Sequence, residues 1–141
     1  MSKQKEFRFN EISIGQKDSF ETTITLSLIN DFAKISGDCN PLHMDENYAK
    51  STKFKKRVCH GMLLASFFSK FVGMFLPGKK SLYFSQTLNF QNPGFIGDKL
   101  TIEGEVFEIS DALQMISINT KIINSQGQCL VDGIAKVIVR N

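Results

Sequence analysis

Hydrophobic and polar residues alternate in five stretches of the chain, which predicts five β-strands. Residues 20–26 place Phe, Thr, Ile and Leu at every second position. The alternation returns at 81–90 and in three longer stretches, rich in Ile, Val and Thr, at 99–110, 113–124 and 128–140. Short turns separate these last three stretches, so they are predicted to pair as antiparallel hairpins.

One long segment is apolar on nearly every side. Residues 61–75 carry Lys70 as their one charged position, and Pro77 and Gly78 close the segment. A helix without a polar face is expected at the middle of a fold. The segment is shorter than the ~20 apolar residues that a membrane-spanning helix needs.

Two shorter helices are predicted ahead of this segment. Helical spacing of apolar residues starts after Ser27, the expected N-cap, and Gly37 is the expected stop. Residues 38–44 show no periodicity and are predicted to form a loop. Asp45 is expected to cap the short helix that follows, with Tyr48 turned inward.

The order of these elements predicts an α+β domain. Helical patterns come early and antiparallel strands follow, so a curved sheet is expected to wrap around the apolar helix. The chain has no internal repeat or linker, which predicts one domain over residues 1–141 with residues 1–14 as an N-terminal extension. Such a sheet leaves strand edges and part of the helix uncovered, so a homodimer is expected.

Composition narrows the class of protein further. The 141 residues include 22% charged and 42% hydrophobic side chains, as in an ordinary globular domain and unlike a disordered chain. The net charge of +3 is too small to indicate nucleic-acid binding. Three widely spaced cysteines and a start without an apolar signal segment predict a cytoplasmic protein with no membrane association.

The one dense basic run consists of Lys53, Lys55, Lys56 and Arg57. A solvated loop is the favoured interpretation of this run. The alternative is a docking patch for a phosphate-bearing ligand or for an acidic carrier protein.

The two histidines, His43 and His60, both lie between the first helix and the apolar helix, and four hypotheses compete for this region. A zinc site would combine them with Cys39 and Cys59. The adjacent Cys59 and His60 cannot easily place both side chains on one tetrahedral ion, so no metal is expected. A cysteine nucleophile with a histidine base is the second hypothesis, and packing explains these cysteines better.

The other two hypotheses concern proton transfer and carbonyl activation. Asp38 and His43 lie five residues apart across a turn that contains Pro41, so both can reach one water beside a carbonyl. On spacing alone, a capping Asp38 and a core His43 explain the pattern better. The first N–H groups of the apolar helix, at Gly61 and Met62, can stabilise an oxyanion. The alternative is a glycine that only starts a tightly packed helix.

The sequence motifs around both histidines, taken together, indicate a protein family far more specifically than a lone Asp/His pair. Ser-Gly-Asp-Cys-Asn-Pro-Leu-His-Met-Asp at 36–45 and His-Gly-Met-Leu-Leu-Ala-Ser at 60–66 resemble the (R)-specific enoyl-CoA hydratases of the MaoC-like family. Leu-Pro-Gly-Lys at 76–79 and Phe-Ile-Gly-Asp at 95–98 extend the likeness, which covers residues 15–140.

The resemblance implies a hot-dog fold, in which an antiparallel sheet wraps a long central helix, and a dimer with active sites near the subunit interface. It implies a hydro-lyase that performs reversible syn hydration of trans-2-enoyl thioesters to (R)-3-hydroxyacyl thioesters, without a metal or redox cofactor. By position, Asp38 and His43 are the implied catalytic pair. The Gly61 N–H is the implied ligand of the thioester oxygen, Ser69 matches a serine near the pair, and Asn40 matches the asparagine that holds the loop.

The chain departs from the family pattern at two positions. Cys39 occupies a variable position where a larger residue is frequent, and Arg57 stands where proline is frequent. Neither departure removes a catalytic group, and Asp45, the second acid of the motif, is expected to be a cap.

Coenzyme A is the expected carrier of the substrate, with acyl carrier protein as the alternative. A non-catalytic thioester-binding module or a hot-dog thioesterase is the alternative of a different class.

Overall fold

The computed structural model describes residues 3–141 and has the mixed α+β architecture that the sequence predicts. A single 3-10 turn, Phe9–Glu11, precedes the first strand. In chain order the elements that follow are β1 (Lys17–Thr23), α1 (Leu26–Ser36), α2 (Pro41–Met44), α3 (Glu46–Lys50), α4 (Gly61–Met74), β2 (Ser81–Gln86), β3 (Asn89–Phe90), β4 (Lys99–Ser110), β5 (Met115–Asn124) and β6 (Cys129–Val139).

The strands form one antiparallel sheet in the order β1-β4-β5-β6-β2, and β3 also pairs with β6. Ile102 of β4 lies opposite Ile122 of β5, and Ile118 of β5 lies opposite Ala135 of β6. All four side chains are completely buried. Apolar residues of neighbouring strands therefore share one face of the sheet, and that face forms the core.

Helix α4 packs on this apolar face, so the predicted arrangement of a sheet around a central helix is confirmed. Phe68 and Phe71 of α4 are buried in the core. Full burial of a side chain of this size contributes about 1.5–3 kcal/mol. Gly104 of β4 provides the necessary space, because a Cβ at this position would lie 2.5 Å from the Phe71 ring.

One side of α4 remains exposed, as expected for a sheet that covers only part of the helix. Met62, Ser66, Ser69 and Lys70 follow one another at helical spacing and lie on this side. Met62 is 56% exposed despite its apolar side chain. The physical reason is that the sheet of one chain covers a single side of the helix.

The start of α1 lies earlier in the chain than the sequence predicts. The N-cap is Thr25, whose hydroxyl accepts a hydrogen bond from the Leu28 N–H at 3.1 Å, so the prediction of Ser27 is wrong. The extended backbone of Thr25 places its hydroxyl over the first helical turn, which leaves Ser27 inside the helix. The predicted stop at Gly37 is confirmed, with a left-handed φ of 79°.

The predicted loop at 38–44 contains a short helix, α2. The Asn40 side chain accepts a hydrogen bond from the Leu42 N–H, and Pro41 occupies the first helical position, where its missing N–H costs nothing. Asp45 caps α3 as predicted, by accepting from the Tyr48 N–H at 3.0 Å. Tyr48 itself is exposed, so the prediction that it turns inward is wrong.

The remaining boundaries differ in detail. The strand predicted at 81–90 is divided into β2 and β3. The predicted strand at 113–124 begins at Met115, because Gln114 adopts a turn conformation with a φ of 51°. Among residues 3–141, no helix is both long and apolar enough to cross a lipid bilayer.

Candidate active site

A cavity of about 480 Å³ lies at the N-terminal end of α4. Asp38, His43, His60 and Gly61 contribute to its wall together with Phe90. The structure therefore brings together three of the five residues that the family resemblance implies for the site. Apolar side chains form most of the remaining wall, as expected for a pocket that accepts an organic ligand.

The imidazole of His43 is held in one orientation. It lies at the end of α2, and its Nδ1 is 2.7 Å from the carbonyl oxygen of Val58. Because a carbonyl oxygen can only accept, Nδ1 carries the proton of the neutral ring. Nε2 of His43 is therefore left with a lone pair that can accept a proton.

His60 contacts both Asp38 and His43. Its Nε2 donates to the Asp38 carbonyl oxygen at 2.9 Å, and its ring stacks on the His43 ring with 4.1 Å between centroids. The side chain is 1% exposed, and its Nδ1 has no hydrogen-bond partner among residues 3–141. The two histidines thus hold opposite tautomers, with the proton on Nδ1 of His43 and on Nε2 of His60.

The Asp38 carboxylate is exposed, and the surrounding turn fixes its position. Its Oδ1 accepts a hydrogen bond from the Asn40 N–H at 3.1 Å, while its own N–H donates to the Ser36 hydroxyl at 3.0 Å. Asn40 lies outside the cavity wall and caps α2, which agrees with a loop-holding role. Side-chain ligand atoms of Asp38, His43 and His60 lie within 4.8 Å of one another.

Gly61 begins α4, and the Phe90 ring lies directly over it. A Cβ at Gly61 would lie 2.9 Å from two carbon atoms of this ring, so only glycine fits without a movement of Phe90. The N–H groups of Gly61 and Met62 have no acceptor inside the helix, because the helix starts here. The positive end of the α4 dipole lies at these N–H groups, which are beside the cavity.

Ser69 does not line this cavity. It lies in a second, mainly apolar cavity of about 520 Å³, which also includes Phe32, Tyr83 and Leu88. Met62 borders both cavities. Ser69 and the Asp38–His43 pair therefore do not share one cavity wall.

Cys59 does not suit the role of nucleophile considered above. Burial and the nearby Asp98 carboxylate raise the pKa of the Cys59 thiol from 9.0 to about 12, so this thiol stays protonated. Its Sγ contacts the His60 carbonyl oxygen at 3.5 Å. Among residues 3–141, the cluster with metal-ligating atoms includes no cysteine. The structure thus gives no support to a zinc site with two cysteines and two histidines.

The basic run borders the cavity through Phe54. Lys53 and Lys56 are exposed, and their ammonium groups lie 5.3 Å and 4.4 Å from the ring centroids of Phe54 and Phe95. Lys55 is also exposed and has a left-handed φ of 64°. The run is therefore charged on its outer side at the rim of the cavity.

Two features of the site were missed by sequence reasoning. The first is the contact of His60 with both Asp38 and His43, for which the position of His60 directly before the apolar helix was the available signal. The second is the Phe90 ring over Gly61, which no local pattern indicates because 29 residues separate the two positions along the chain.

The fold and the site together define an α+β domain in which Asp38 and His43 lie beside the N-terminal end of the central helix. The sequence profile of the "MaoC like domain" matches residues 9–127. The chain belongs to the MaoC-like family.

Relatives with known names agree with this assignment. An (R)-specific enoyl-CoA hydratase from Aeromonas caviae is 39% identical over 126 residues, which is 89% of this chain and 94% of that protein. The (R)-specific enoyl-CoA hydratase from Rhodospirillum rubrum is 38% identical over 131 residues, covering 93% and 90% of the two chains. A 3-hydroxyacyl-[acyl-carrier-protein] dehydratase from Solanum lycopersicum is 34% identical over 77% of this chain and 66% of that protein.

A solved structure extends the likeness to three dimensions. R-Hydratase PhaJ1 from Pseudomonas aeruginosa superposes with a TM-score of 0.94 at 35% identity, over 99% of this chain and 90% of that one. The hot-dog fold implied by the sequence motifs is thereby confirmed.

Proposed function

We propose that this protein is a hydro-lyase that adds water reversibly to trans-2-enoyl thioesters and forms (R)-3-hydroxyacyl thioesters, with coenzyme A as the carrier. One observation carries this proposal: Asp38, His43 and Gly61 converge on one cavity at the N-terminal end of α4. The names of the two hydratase relatives support the same reaction.

In the proposed reaction, the end of α4 activates the thioester. The carbonyl oxygen accepts a hydrogen bond from the Gly61 N–H, and the helix dipole stabilises the negative charge that develops on this oxygen. Polarisation of the carbonyl makes the β-carbon electrophilic. The absence of a side chain at Gly61 makes room for the Phe90 ring beside the start of the helix.

Asp38 and His43 act on the water. The lone pair on His43 Nε2 and the Asp38 carboxylate both accept hydrogen bonds from one water molecule held over the double bond. The water oxygen bonds to the β-carbon, and one water proton passes to the pair. The pair delivers a proton to the α-carbon on the same face, which makes the addition syn. The proposed reaction requires no redox cofactor, because the addition of water involves no net transfer of electrons to or from the substrate.

The acyl chain is proposed to pass Met62 and enter the second cavity, where Ser69 borders it. The apolar lining of this cavity by Phe32 and Leu88 suits an aliphatic chain. Ser69 then contributes to substrate binding, and Asn40 contributes indirectly by holding the turn that carries Asp38.

Lys53, Lys55 and Lys56 support coenzyme A as the carrier, because their exposed side chains at the rim can approach its phosphates. An acidic acyl carrier protein would meet the same lysines. The similarity to the Solanum lycopersicum protein favours such a dehydratase as the second candidate.

The protein is further proposed to act as a homodimer in the cytoplasm. The exposed side of α4 and the edge strand β2, with Phe84 63% exposed, support a second copy that covers them. Cys39, Cys59 and Cys129 are free thiols, which suits a reducing compartment.

A substrate panel tests the proposal. Enoyl thioesters of coenzyme A and of acyl carrier protein are compared at several chain lengths, by loss of the enoyl ultraviolet absorbance and chiral analysis of the product. We expect faster turnover of the coenzyme A substrates and an (R) product. Faster turnover of the carrier-protein substrates would favour the dehydratase. Binding of the thioester without loss of absorbance would favour a non-catalytic module. Release of a free thiol would favour a thioesterase.

A further inference from the structure

The basic run divides into an outward part and an inward part. Lys53, Lys55 and Lys56 are exposed, whereas Arg57 is half-buried. The Nε of Arg57 donates to the carbonyl oxygen of His43 at 2.6 Å. Its Nη2 lies 3.8 Å from the sulfur of Met44. Arg57 is therefore directed at the end of α2 and away from solvent.

The bond from Arg57 provides a partner for one of the last carbonyl groups of α2. A helix leaves its last carbonyl groups without partners inside the helix, and α2 has only four residues. The Pro41 carbonyl accepts from the Asp45 N–H, and the Leu42 carbonyl accepts from the Val58 N–H. The His43 carbonyl is the next in order, and its partner is the side chain of Arg57. A cation at a helix C-terminus also interacts favourably with the helix dipole.

Two adjacent residues thus hold His43 at two points. Val58 accepts the Nδ1 proton of the ring, and Arg57 holds the backbone carbonyl of the same residue. Val58 is buried and pairs with Phe95 in an isolated β-bridge, so it is a fixed anchor. The ring bond keeps its geometry only if the backbone of His43 stays at a constant distance from this anchor.

We propose that Arg57 is a positioning residue for His43: its guanidinium fixes the end of α2 so that the ring donates from Nδ1 and presents Nε2 to the cavity. The proposal rests on the proposed catalytic function of His43. It gives a role in the reaction to Arg57, one of the two positions at which the chain departs from the family pattern. The alternative role for Arg57 is a contact with the substrate phosphates, together with the three lysines.

Arg57→Met separates the two roles, because methionine keeps the aliphatic stem and removes the charge and the donors. Arg140→Met is the matched control, since Arg140 also donates from its guanidinium to a backbone carbonyl, that of Lys79, at 2.8 Å. Both variants are compared with wild type on crotonyl-CoA and on crotonyl-N-acetylcysteamine, which carries the same acyl group and no phosphate. Circular dichroism verifies that each variant is folded.

For a positioning role, Arg57→Met lowers kcat by about 10- to 100-fold on both substrates, because a misplaced catalytic group loses its alignment with the reacting atoms. The KM values stay close to those of wild type, and Arg140→Met leaves kcat unchanged. A raised KM for crotonyl-CoA alone, with kcat unchanged, would identify Arg57 as a phosphate contact and overturn the proposal.

The tautomer of His43 provides a readout that does not depend on activity. Nitrogen-15 NMR of the two histidines should show the proton on Nδ1 of His43 and on Nε2 of His60 in wild type. We expect Arg57→Met to shift the His43 signals toward a mixture of tautomers and to leave those of His60 unchanged. An unchanged His43 tautomer together with unchanged kcat would overturn the proposal.

Two further points keep the test decisive. If Arg57→Met does not fold, Arg57→Gln replaces it, because glutamine is shorter and cannot hold the same carbonyl but retains a polar side chain. If wild type fails to hydrate either thioester, the proposed function fails, while the NMR comparison still decides whether Arg57 positions His43.

Discussion

The two ends of helix α4 contrast sharply in how their backbone groups are bonded. At the C-terminal end, the Gly73 carbonyl accepts from the Gln4 side chain and the Met74 carbonyl accepts from the Lys5 N–H. The Val72 carbonyl accepts from the Gly78 N–H. At the N-terminal end, the N–H groups of the first turn have no acceptor inside the helix and lie beside a cavity.

The two ends of α4 are therefore expected to have different roles, the C-terminal end in stability and the N-terminal end in ligand binding. The segment that precedes β1 closes the C-terminal end, and its bonds contribute to folding. The N-terminal end keeps its donors available for a ligand, and His60 and Asp38 lie beside them. Changes at the first end should therefore affect stability, and changes at the second should affect catalysis.

The largest effect is expected at Asp38 and His43. Asp38→Asn and His43→Gln should each lower kcat by about 10²–10⁴-fold, because each removes a general acid–base group. Asp45→Asn is the control, since Asp45 belongs to the same motif but caps α3, a role that asparagine can also fill. Steady-state kinetics with crotonyl-CoA measures the effect. Loss of activity in the control alone would contradict the assignment.

Two glycines of α4 compare its ends directly. Gly61→Ala should lower kcat/KM by about 10²-fold, since the new Cβ meets the Phe90 ring and disturbs an oxyanion donor. Gly73→Ala, near the other end, has no atom within 4 Å of the new Cβ, so activity should persist. The double variant Gly61→Ala with Phe90→Ala removes the clash and should recover part of the loss. Equal losses of kcat/KM in Gly61→Ala and Gly73→Ala would contradict the different roles of the two helix ends.

Gly78 tests the C-terminal end of α4, where a substitution should affect stability and not catalysis. Its φ is 82°, and a Cβ there would collide with the Lys5 carbonyl, so Gly78→Ala should displace the segment that closes α4. We expect the free energy of unfolding to fall by about 1–3 kcal/mol, as for an overpacked core position. Urea denaturation measures this change, and kcat at a temperature where the variant is folded should equal that of wild type.

A separate prediction concerns stability at alkaline pH. Because burial raises the pKa of Cys59 from 9.0 to about 12, the folded state keeps the thiol proton that the unfolded state loses in this range. Stability is therefore unaffected below pH 9 and falls as pH rises from about 9 to about 12, by up to ~1.4 kcal/mol per pH unit. Burial also raises the pKa of Tyr83 from 10.0 to about 12, which adds a similar slope between about pH 10 and about pH 12. Denaturation of Cys59→Ala across this range should show the shallower dependence, and an unchanged slope would contradict the assignment.

Local pattern was sufficient for much of the fold. The strand at 99–110 was predicted with its observed bounds, because its alternation is regular and turns flank it. The stop of α1 at Gly37 followed from the left-handed conformation that glycine favours. The division of the 81–90 stretch was not predictable, since the Thr87 hydroxyl accepts from the Ile134 N–H, a contact that spans 47 residues.

The site shows the same limit. The resemblance of the segments at 36–45 and 60–66 to the MaoC-like family indicated that Asp38, His43 and Gly61 come together, whereas the spacing of Asp38 and His43 alone favoured a structural role. The separation of Ser69 from the pair depends on the walls of two cavities, which include residues from distant parts of the chain. The burial of Arg57 within a basic run was likewise hidden, since its partner is a backbone carbonyl and leaves no trace in side-chain pattern.

The stereochemistry of hydration in deuterated water tests the central claim most directly. Crotonyl-CoA is incubated with the protein in D₂O, and the configurations of the product at both carbons are determined by chiral chromatography and NMR. We expect (R)-3-hydroxybutyryl-CoA with one deuterium on the α-carbon, added to the same face as the hydroxyl. An (S) product, anti addition or no hydration would contradict it.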